Sequence, residues 1–175
     1  MAVSEAGLVK ADGGLVPEGE GWFVLSAREA KWLEGHFGAY TRFEATPGDF
    51  PEVGINVGVL QPGQPACYYH GEGAQEDFLV LSGEALLIVE GEERPLRAWD
   101  FVHCPPWTEH VFVGAGDGPC AILAVGRRPD EGVVYPVSEV ALARGAGVDA
   151  EVTVPKQAYA AIRPDDAVGY RDGWL

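Results

Sequence analysis

The sequence predicts a single all-β domain, a barrel or sandwich of many short strands with short accessory helices in its N- and C-terminal flanks. Short apolar runs recur at close intervals and are separated by turn residues, a pattern typical of sandwiches and barrels. The chain also has 24 glycines and 13 prolines beside 47% hydrophobic residues, which suits strands and turns better than a helical bundle. A domain of 175 residues can bury roughly 70% of its unfolded surface without disulfides.

Residues 1–53 are predicted to form an N-terminal arm that packs on the barrel. Ser26, followed by Glu29 three positions later, makes a capping-box pattern that predicts a short helix. The expected elements are a loose segment at 1–20, a strand at 22–25, a helix from Ser26 through Trp32 and Leu33, and a strand at 40–44.

Residues 54–126 are predicted to form the barrel itself. Gly83 and Gly91 each separate two strand-like runs and therefore mark hairpin turns. The runs at 78–81 and 85–89 are apolar on both faces, so we expect the terminal arms or a second subunit to cover the outer face. A homodimer is the preferred interpretation. The expected strands are 55–60, 66–72, 77–82, 85–90, 101–104, 109–113 and 120–125.

Residues 127–175 are predicted to form a C-terminal accessory segment of the same domain. Ser138 and Glu139 begin a helical pattern that ends near Arg144, and residues 156–161 favour another turn of helix. We expect this segment to wrap on the barrel or on a partner.

The charge of the chain argues against several classes of partner. The formal net charge is −15, from 27 acidic and 12 basic residues, and the basic residues cluster no further than the pair Arg127 and Arg128. Nucleic acid and anionic membranes need a basic patch, so neither is an expected partner.

The three cysteines lack CxxC spacing, which argues against a disulfide framework and a cysteine zinc site. Without a leader-like start or 18 consecutive apolar residues, the sequence predicts a cytoplasmic protein.

Two stretches carry residue types that bind metal ions. His70 and Glu72 are two positions apart, and such a pair projects from one face of a strand. Glu76 follows after a glycine-containing break, so a short loop can bring its carboxylate back toward the first two. In the second stretch a strand ends at two prolines and resumes at His110, which can then point inward beside His70.

The first stretch resembles the first sequence motif of the cupin superfamily. Glu76 lies seven positions before Gly83, the spacing at the end of that motif, and His70 and Glu72 occupy the places of its histidine pair. The resemblance implies a small single-barrel cupin, a double-stranded β-helix of the jelly-roll type whose flanks are accessory.

The second stretch resembles the second cupin motif, with Pro105 and His110 at the places of its proline and histidine. The resemblance as a whole covers residues 54–126. Four positions depart from the two motifs: Glu72 replaces the second histidine, Trp107 replaces a glycine, Gly114 replaces the final asparagine, and Gly63 lies one residue further from His70 than the strict spacing.

The resemblance implies that a divalent metal ion, Fe, Mn or Zn, is held by His70, Glu72, Glu76 and His110. With Glu72 as a ligand, two carboxylates neutralise the ion and make it a weaker Lewis acid. Without Glu72, two histidines and one carboxylate form a set that suits non-haem Fe(II) with open positions.

The predicted cavity beside the metal is lined by Tyr68, Phe112 and Trp107. Its expected occupant is a small organic molecule. We expect a metalloenzyme of the dioxygenase or the isomerase/lyase type. A non-catalytic, metal-dependent module that binds or senses a small ligand and a metal-free structural barrel are the alternatives, because a fold does not decide function.

Overall fold

The computed structural model describes residues 2–44, 48, 50–128 and 132–175. The described helices are α1 (Glu139–Leu142) and α2 (Pro155–Ala158), and neither has the length and apolar character needed to span a bilayer. The described strands are β1 (Gly7–Ala11), β2 (Gly14–Glu18), β3 (Trp32–Gly35), β4 (Gly38–Arg42), β5 (Val53–Leu60), β6 (Gly71–Glu72), β7 (Glu76–Ser82), β8 (Glu84–Val89), β9 (Glu92–Arg97), β10 (Phe101–Cys104), β11 (His110–Ala115), β12 (Cys120–Arg127), β13 (Val133–Val134) and β14 (Asp166–Val168).

Two antiparallel sheets pack face to face and form the barrel. The larger sheet has the strand order β10-β7-β12-β5-β4-β3-β14, and the smaller has the order β11-β8-β9. Because side chains alternate between the faces of a strand, every second residue enters the space between the sheets. Phe78 and Ile122 of the larger sheet meet Leu87 and Phe112 of the smaller one there, and this cluster is the core of the barrel.

The chain's own arms cover the outer faces of both sheets. On the larger sheet, Trp174 from the C-terminal tail packs on Trp32, with 4.8 Å between ring centroids, in a cluster that includes Val57. On the smaller sheet, Ala141 of α1 packs against Ile88. The chain itself therefore covers the apolar outer faces of the strands. The homodimer stays a prediction, but the two-sided apolar strands no longer support it.

The helix predicted from Ser26 is wrong. The carbonyl of Ser26 accepts hydrogen bonds from the amides of Glu29 and Ala30, but the chain makes only this one turn and then enters β3. Trp32 pairs with Thr41 across the sheet and is fully buried. Burial of this large ring in a strand outweighs a local helical preference, which is always a weak signal.

Further differences from the predicted elements concern strands, and of the strand expected at 66–72 only Gly71–Glu72 forms one. The loose segment expected at 1–20 contains the β1–β2 hairpin. The strand expected at 22–25 is absent except for an isolated bridge between Glu5 and Trp22. Strand β9 is not among the predicted strands, because it lacks an apolar pattern. It is an edge strand with charged residues and a proline, the composition typical of protected edges.

The helical pattern predicted from Ser138 is confirmed. The hydroxyl of Ser138 accepts a hydrogen bond from the amide of Ala141 at 3.3 Å and caps α1. This short helix places Ala141 against the smaller sheet, so the cap positions part of the covering arm.

The two hairpin glycines provide a matched pair of stability variants. Both have positive φ, 73° at Gly83 and 75° at Gly91. A Cβ at Gly83 would lie 2.5 Å from the carbonyl oxygen of Pro119, whereas a Cβ at Gly91 would meet nothing within 4 Å. We expect Gly91→Ala to lower the free energy of unfolding by about 1 kcal/mol, and Gly83→Ala by about 2 kcal/mol more, in urea titrations. Equal losses would contradict this account of the turn.

Candidate metal centre

A backbone bridge brings two histidines together. The amide of His70 donates to the carbonyl of His110 at 3.1 Å, and the amide of His110 donates back to the carbonyl of His70 at 2.8 Å. Residues that exchange both hydrogen bonds in an antiparallel pair lie directly opposite each other. The two imidazole rings therefore lie side by side, with 5.1 Å between their centroids.

Strand β7 supplies the carboxylate. Glu76 shares a strand face with Phe78, which lies in the barrel core, so the Glu76 side chain points inward. Asp77 points to the opposite face, where its carboxylate accepts a hydrogen bond from Nδ1 of His103 at 2.7 Å. The alternation of the strand thus separates an inner glutamate from an outer aspartate–histidine pair.

The three side chains converge on a small volume. Oε2 of Glu76 lies 3.4 Å from Nε2 of His110 and 3.9 Å from Nε2 of His70. One potential ligand atom from each of the three residues lies within 4.8 Å of the others. His110 is almost fully buried, and the other two side chains are mostly buried.

Both histidines present a neutral Nε2 to this cluster. Nδ1 of His70 lies 2.8 Å from the carbonyl oxygen of Tyr68, and Nδ1 of His110 lies 3.0 Å from that of Thr108. A carbonyl only accepts hydrogen bonds, so each Nδ1 carries the hydrogen and each Nε2 has a free lone pair. Burial lowers both histidine pKa values, that of His70 to about 4, with the neighbouring His110 as a second cause.

The residues present fit a divalent metal ion. Oε2 of Glu76 is buried and has no hydrogen-bond partner among the described residues, a costly state for a carboxylate oxygen. Two imidazoles oriented by backbone carbonyls and one carboxylate are the ligand set of many Fe, Mn and Zn sites. His70, Glu76 and His110 would hold the ion.

Glu72 is not a member of this three-residue cluster. It lies in β6 and pairs with Val133, whereas His70 pairs with His110, so the chain changes its pairing partner between the two positions. Glu72 remains a near neighbour, because its charge is the second cause, after burial, that raises the pKa of Glu76 to about 8. Its carboxylate is partly buried beside the cluster.

The three predicted cavity residues occupy different places. Phe112 lines a cavity of about 210 Å³, called the apolar cavity here, together with Phe37 and Phe78. The ring of Tyr68 packs against Phe37 and Tyr159, with centroid distances of 4.9 and 5.0 Å. The side chain of Trp107 is half exposed in the turn before His110.

Comparison with known proteins agrees with this architecture. Residues 56–126 match the cupin domain family. These residues are a cupin domain. The barrel aligns with a Cupin 2 conserved barrel domain protein from Salinispora arenicola at a TM-score of 0.53 and 23% identity, over 63% of this chain and 92% of that chain. Polyketide cyclase RemF from Streptomyces resistomycificus aligns at a TM-score of 0.52 and 15% identity, over 61% of this chain and 80% of that chain.

A third comparison is partial. A candidate sugar phosphate isomerase from Acidithiobacillus ferrooxidans is 29% identical over 47% of this chain, with a TM-score of 0.44. The chain spans about half, 54%, of the length of that protein. No curated protein gives a significant match.

The backbone explains the departure at Gly114 but not the one at Trp107. Trp107 has a φ of 70°, in the left-handed region that favours the glycine it replaces. A side chain at Gly114 would clash with the carbonyl group of Gln61, so no asparagine fits this backbone.

The sequence gives no signal for Tyr135, which lies outside the matched residues. Its ring is almost fully buried and packs 5.7 Å from the ring of His70. On its other side it contacts Tyr159, whose hydroxyl accepts a hydrogen bond from the amide of Tyr68. The C-terminal segment therefore forms one wall of the candidate site, through a contact between residues far apart in the chain.

Metal content tests the cluster directly. We expect protein purified without an affinity tag to carry, or to take up, one divalent ion per chain, and His70→Ala and His110→Ala to lose it, as measured by elemental mass spectrometry. His103→Ala is the matched control, because this exposed histidine binds Asp77 on the outer face. A wild-type protein that takes up no metal would remove the proposed centre.

Substitutions of Glu76 and Glu72 are expected to weaken metal binding to different extents. Glu76→Gln removes a ligand charge and should weaken metal binding about 100-fold or more, whereas Glu72→Gln should change it by less than about tenfold, as expected of a neighbour outside the ligand set. Competition with a fluorescent chelator measures both. Equal losses would make Glu72 a ligand.

Metal affinity should depend on pH through Glu76. Because its pKa is raised to about 8, the carboxyl group of the metal-free protein holds a proton below that pH, and the metal must displace it. We expect the association constant for Mn(II) to rise by about tenfold per pH unit from pH 6 toward pH 8 and then to level off. His70 adds no dependence there, since it stays neutral above about pH 4. A flat profile would contradict this assignment.

Proposed function

We propose that the protein is a divalent-metal-dependent enzyme that acts on a small organic molecule. The observation that carries the proposal is the convergence of His70, Glu76 and His110 around a buried carboxylate oxygen that has no other partner among the described residues. Three ligands leave part of the coordination sphere open, the arrangement of catalytic rather than structural metal sites.

A metal ion bound there would supply a Lewis acid with open positions for substrate, or for substrate and O2 if the ion is Fe(II). The two imidazoles hold their orientation through the carbonyls of Tyr68 and Thr108, so the ligand geometry is preorganised. Fe, Mn and Zn all remain candidates, because the donor set suits each of them.

The apolar cavity provides the space for substrate. Phe78 and Phe112 line it, and both contact the ring of His110, with centroid distances of 5.2 and 6.2 Å. The cavity therefore reaches the wall of the metal cluster. Its aromatic lining excludes water around a bound molecule and strengthens electrostatic interactions at the centre.

A metal-dependent binding or sensing module is the second candidate function. The mainly apolar lining of the cavity favours it, since such a wall offers few groups for proton transfer. This candidate predicts tight, metal-dependent binding of a small ligand without chemical change of that ligand.

Turnover separates the two candidates. We expect protein loaded with Fe(II), Mn(II) or Zn(II) to convert a member of a panel of catechols, thiols and keto acids, measured by NMR, with O2 uptake monitored by an oxygen electrode. His110→Ala should abolish turnover and His103→Ala should retain it. Conversion with O2 uptake identifies a dioxygenase, and conversion without uptake identifies an isomerase or lyase. Metal-dependent binding without conversion across the panel would favour the sensing module.

A further inference from the structure

We infer that the cupin barrel has a carboxylate-binding subsite at Arg42 and that its ligand is a small organic anion with an apolar body. The inference deepens the proposed function, because it gives the substrate class for the same cavity. It rests on the arrangement of side chains across the larger sheet.

One row of cross-strand neighbours places Arg42, an exposed residue at the end of β4, on the inner face of the larger sheet. Arg42 of β4 pairs with Asn56 of β5, Asn56 pairs with Ala124 of β12, and Ala124 pairs with Phe78 of β7. Directly paired residues share a face of the sheet, and Phe78 belongs to the core. Arg42 and Asn56 therefore stand on the inner face, in the row of Phe78.

The adjacent row leaves a trough that leads to the metal cluster. Gly54 pairs with Gly126, and Gly126 pairs with Glu76, so two of the three positions carry no side chain, and the guanidinium of Arg128 lies over Gly54. A Cβ at Gly126 would lie 3.6 Å from Cγ of Glu76, which places this glycine directly beside the carboxylate. The trough is a cavity of about 180 Å³ whose lining includes Arg42, Asn56, Gly126 and Glu76, and it is called the polar cavity here.

Arg42 stands where the two cavities meet. The polar cavity and the apolar cavity share Arg42, Asn56 and Ala124 in their walls. Three strand steps and a two-residue offset along the strand separate Arg42 from Glu76, about 16 Å between backbones in a flat sheet, and both side chains extend from the inner face of the sheet. A molecule of a few bonds can thus contact Arg42 with one end and reach the cluster with the other, while its apolar part lies against Phe78.

The guanidinium of Arg42 is positioned to bind an anion. It lies 5.4 Å from the centroid of the Tyr40 ring, and the Tyr40 hydroxyl donates to Asp165 at 3.1 Å, which holds this platform in place. No carboxylate forms an ion pair with Arg42 in the described part of the chain, whereas Arg128 in the same wall pairs with Glu44. A planar guanidinium beside an amide side chain suits bidentate recognition of a carboxylate.

The basic residues around the polar cavity contrast with the acidic character of the whole chain. A chain with a net charge of −15 repels anions in general, yet three of its twelve basic residues line the polar cavity, against the two acidic residues Glu44 and Glu76. This local excess of basic side chains lowers the electrostatic cost for a small anion that enters the cavity.

Binding of a matched pair of probes tests the subsite. We expect the metal-stripped full chain to bind benzoate about tenfold or more tightly than its neutral analogue benzamide in calorimetric titrations. Arg42→Gln should reduce benzoate affinity to the level of benzamide without changing benzamide binding. Arg42→Lys keeps the charge but loses the planar guanidinium, so its benzoate affinity should lie between those of wild type and Arg42→Gln. Arg94→Gln, on the exposed strand β9, is the control and should match wild type.

Three results would overturn the inference: equal affinities for the two probes, no binding of either probe, or undiminished benzoate affinity in Arg42→Gln. Repeating the titration with His110→Ala separates this inference from the proposed function. If that variant carries no metal yet still discriminates benzoate from benzamide, the subsite stands whether or not the protein is an enzyme. A kinetic result would overturn it as well: if wild type turns over a keto acid at a rate that Arg42→Gln leaves unchanged, the enzyme stands and the subsite is wrong.

Discussion

The reciprocal backbone bridge between His70 and His110 is the constraint on which the candidate site depends. It joins the segment before β7 to the smaller sheet, where β11 begins, and so sets the separation of the two imidazoles. Each ring is then oriented by a carbonyl two residues earlier in its own segment. With both Nε2 atoms directed inward, the first inward side chain of β7, Glu76, completes the cluster. The site is therefore a consequence of strand pairing rather than of a dedicated loop.

This arrangement places polar groups where burial is costly. Burial raises the pKa of Glu76 and lowers that of both histidines, so the metal-free fold disfavours the charged form of every cluster member. A divalent ion would reverse that preference for Glu76 alone, because it stabilises the carboxylate, and would use as ligands the neutral imidazoles that burial already favours. Desolvation therefore favours a protonated Glu76 in the metal-free cluster, and a bound cation would have to displace that proton.

The flanks complete the domain in ways that the barrel alone does not. Trp174 and α1 cover the outer faces, and Tyr135 packs on the ring of His70. On the opposite wall, Arg42 and Asn56 belong to strands that lie beside the glycine trough leading to Glu76. The cluster thus lies between an aromatic wall from the C-terminal segment and a polar wall from the larger sheet.

The sequence by itself determined the barrel class, the hairpin turns at Gly83 and Gly91, and the presence of His70, Glu76 and His110 at spacings that allow convergence. These properties depend on local periodicity, on turn chemistry and on short distances along the chain, which a linear pattern records. Only the tertiary structure decided that Glu72 pairs with Val133 outside the cluster, that Trp32 lies in a strand, that Tyr135 packs on His70, and that Arg42 lines a cavity together with Glu76. Those outcomes depend on which distant segments pair, and pairing is decided by the burial of whole faces rather than by any spacing between neighbours.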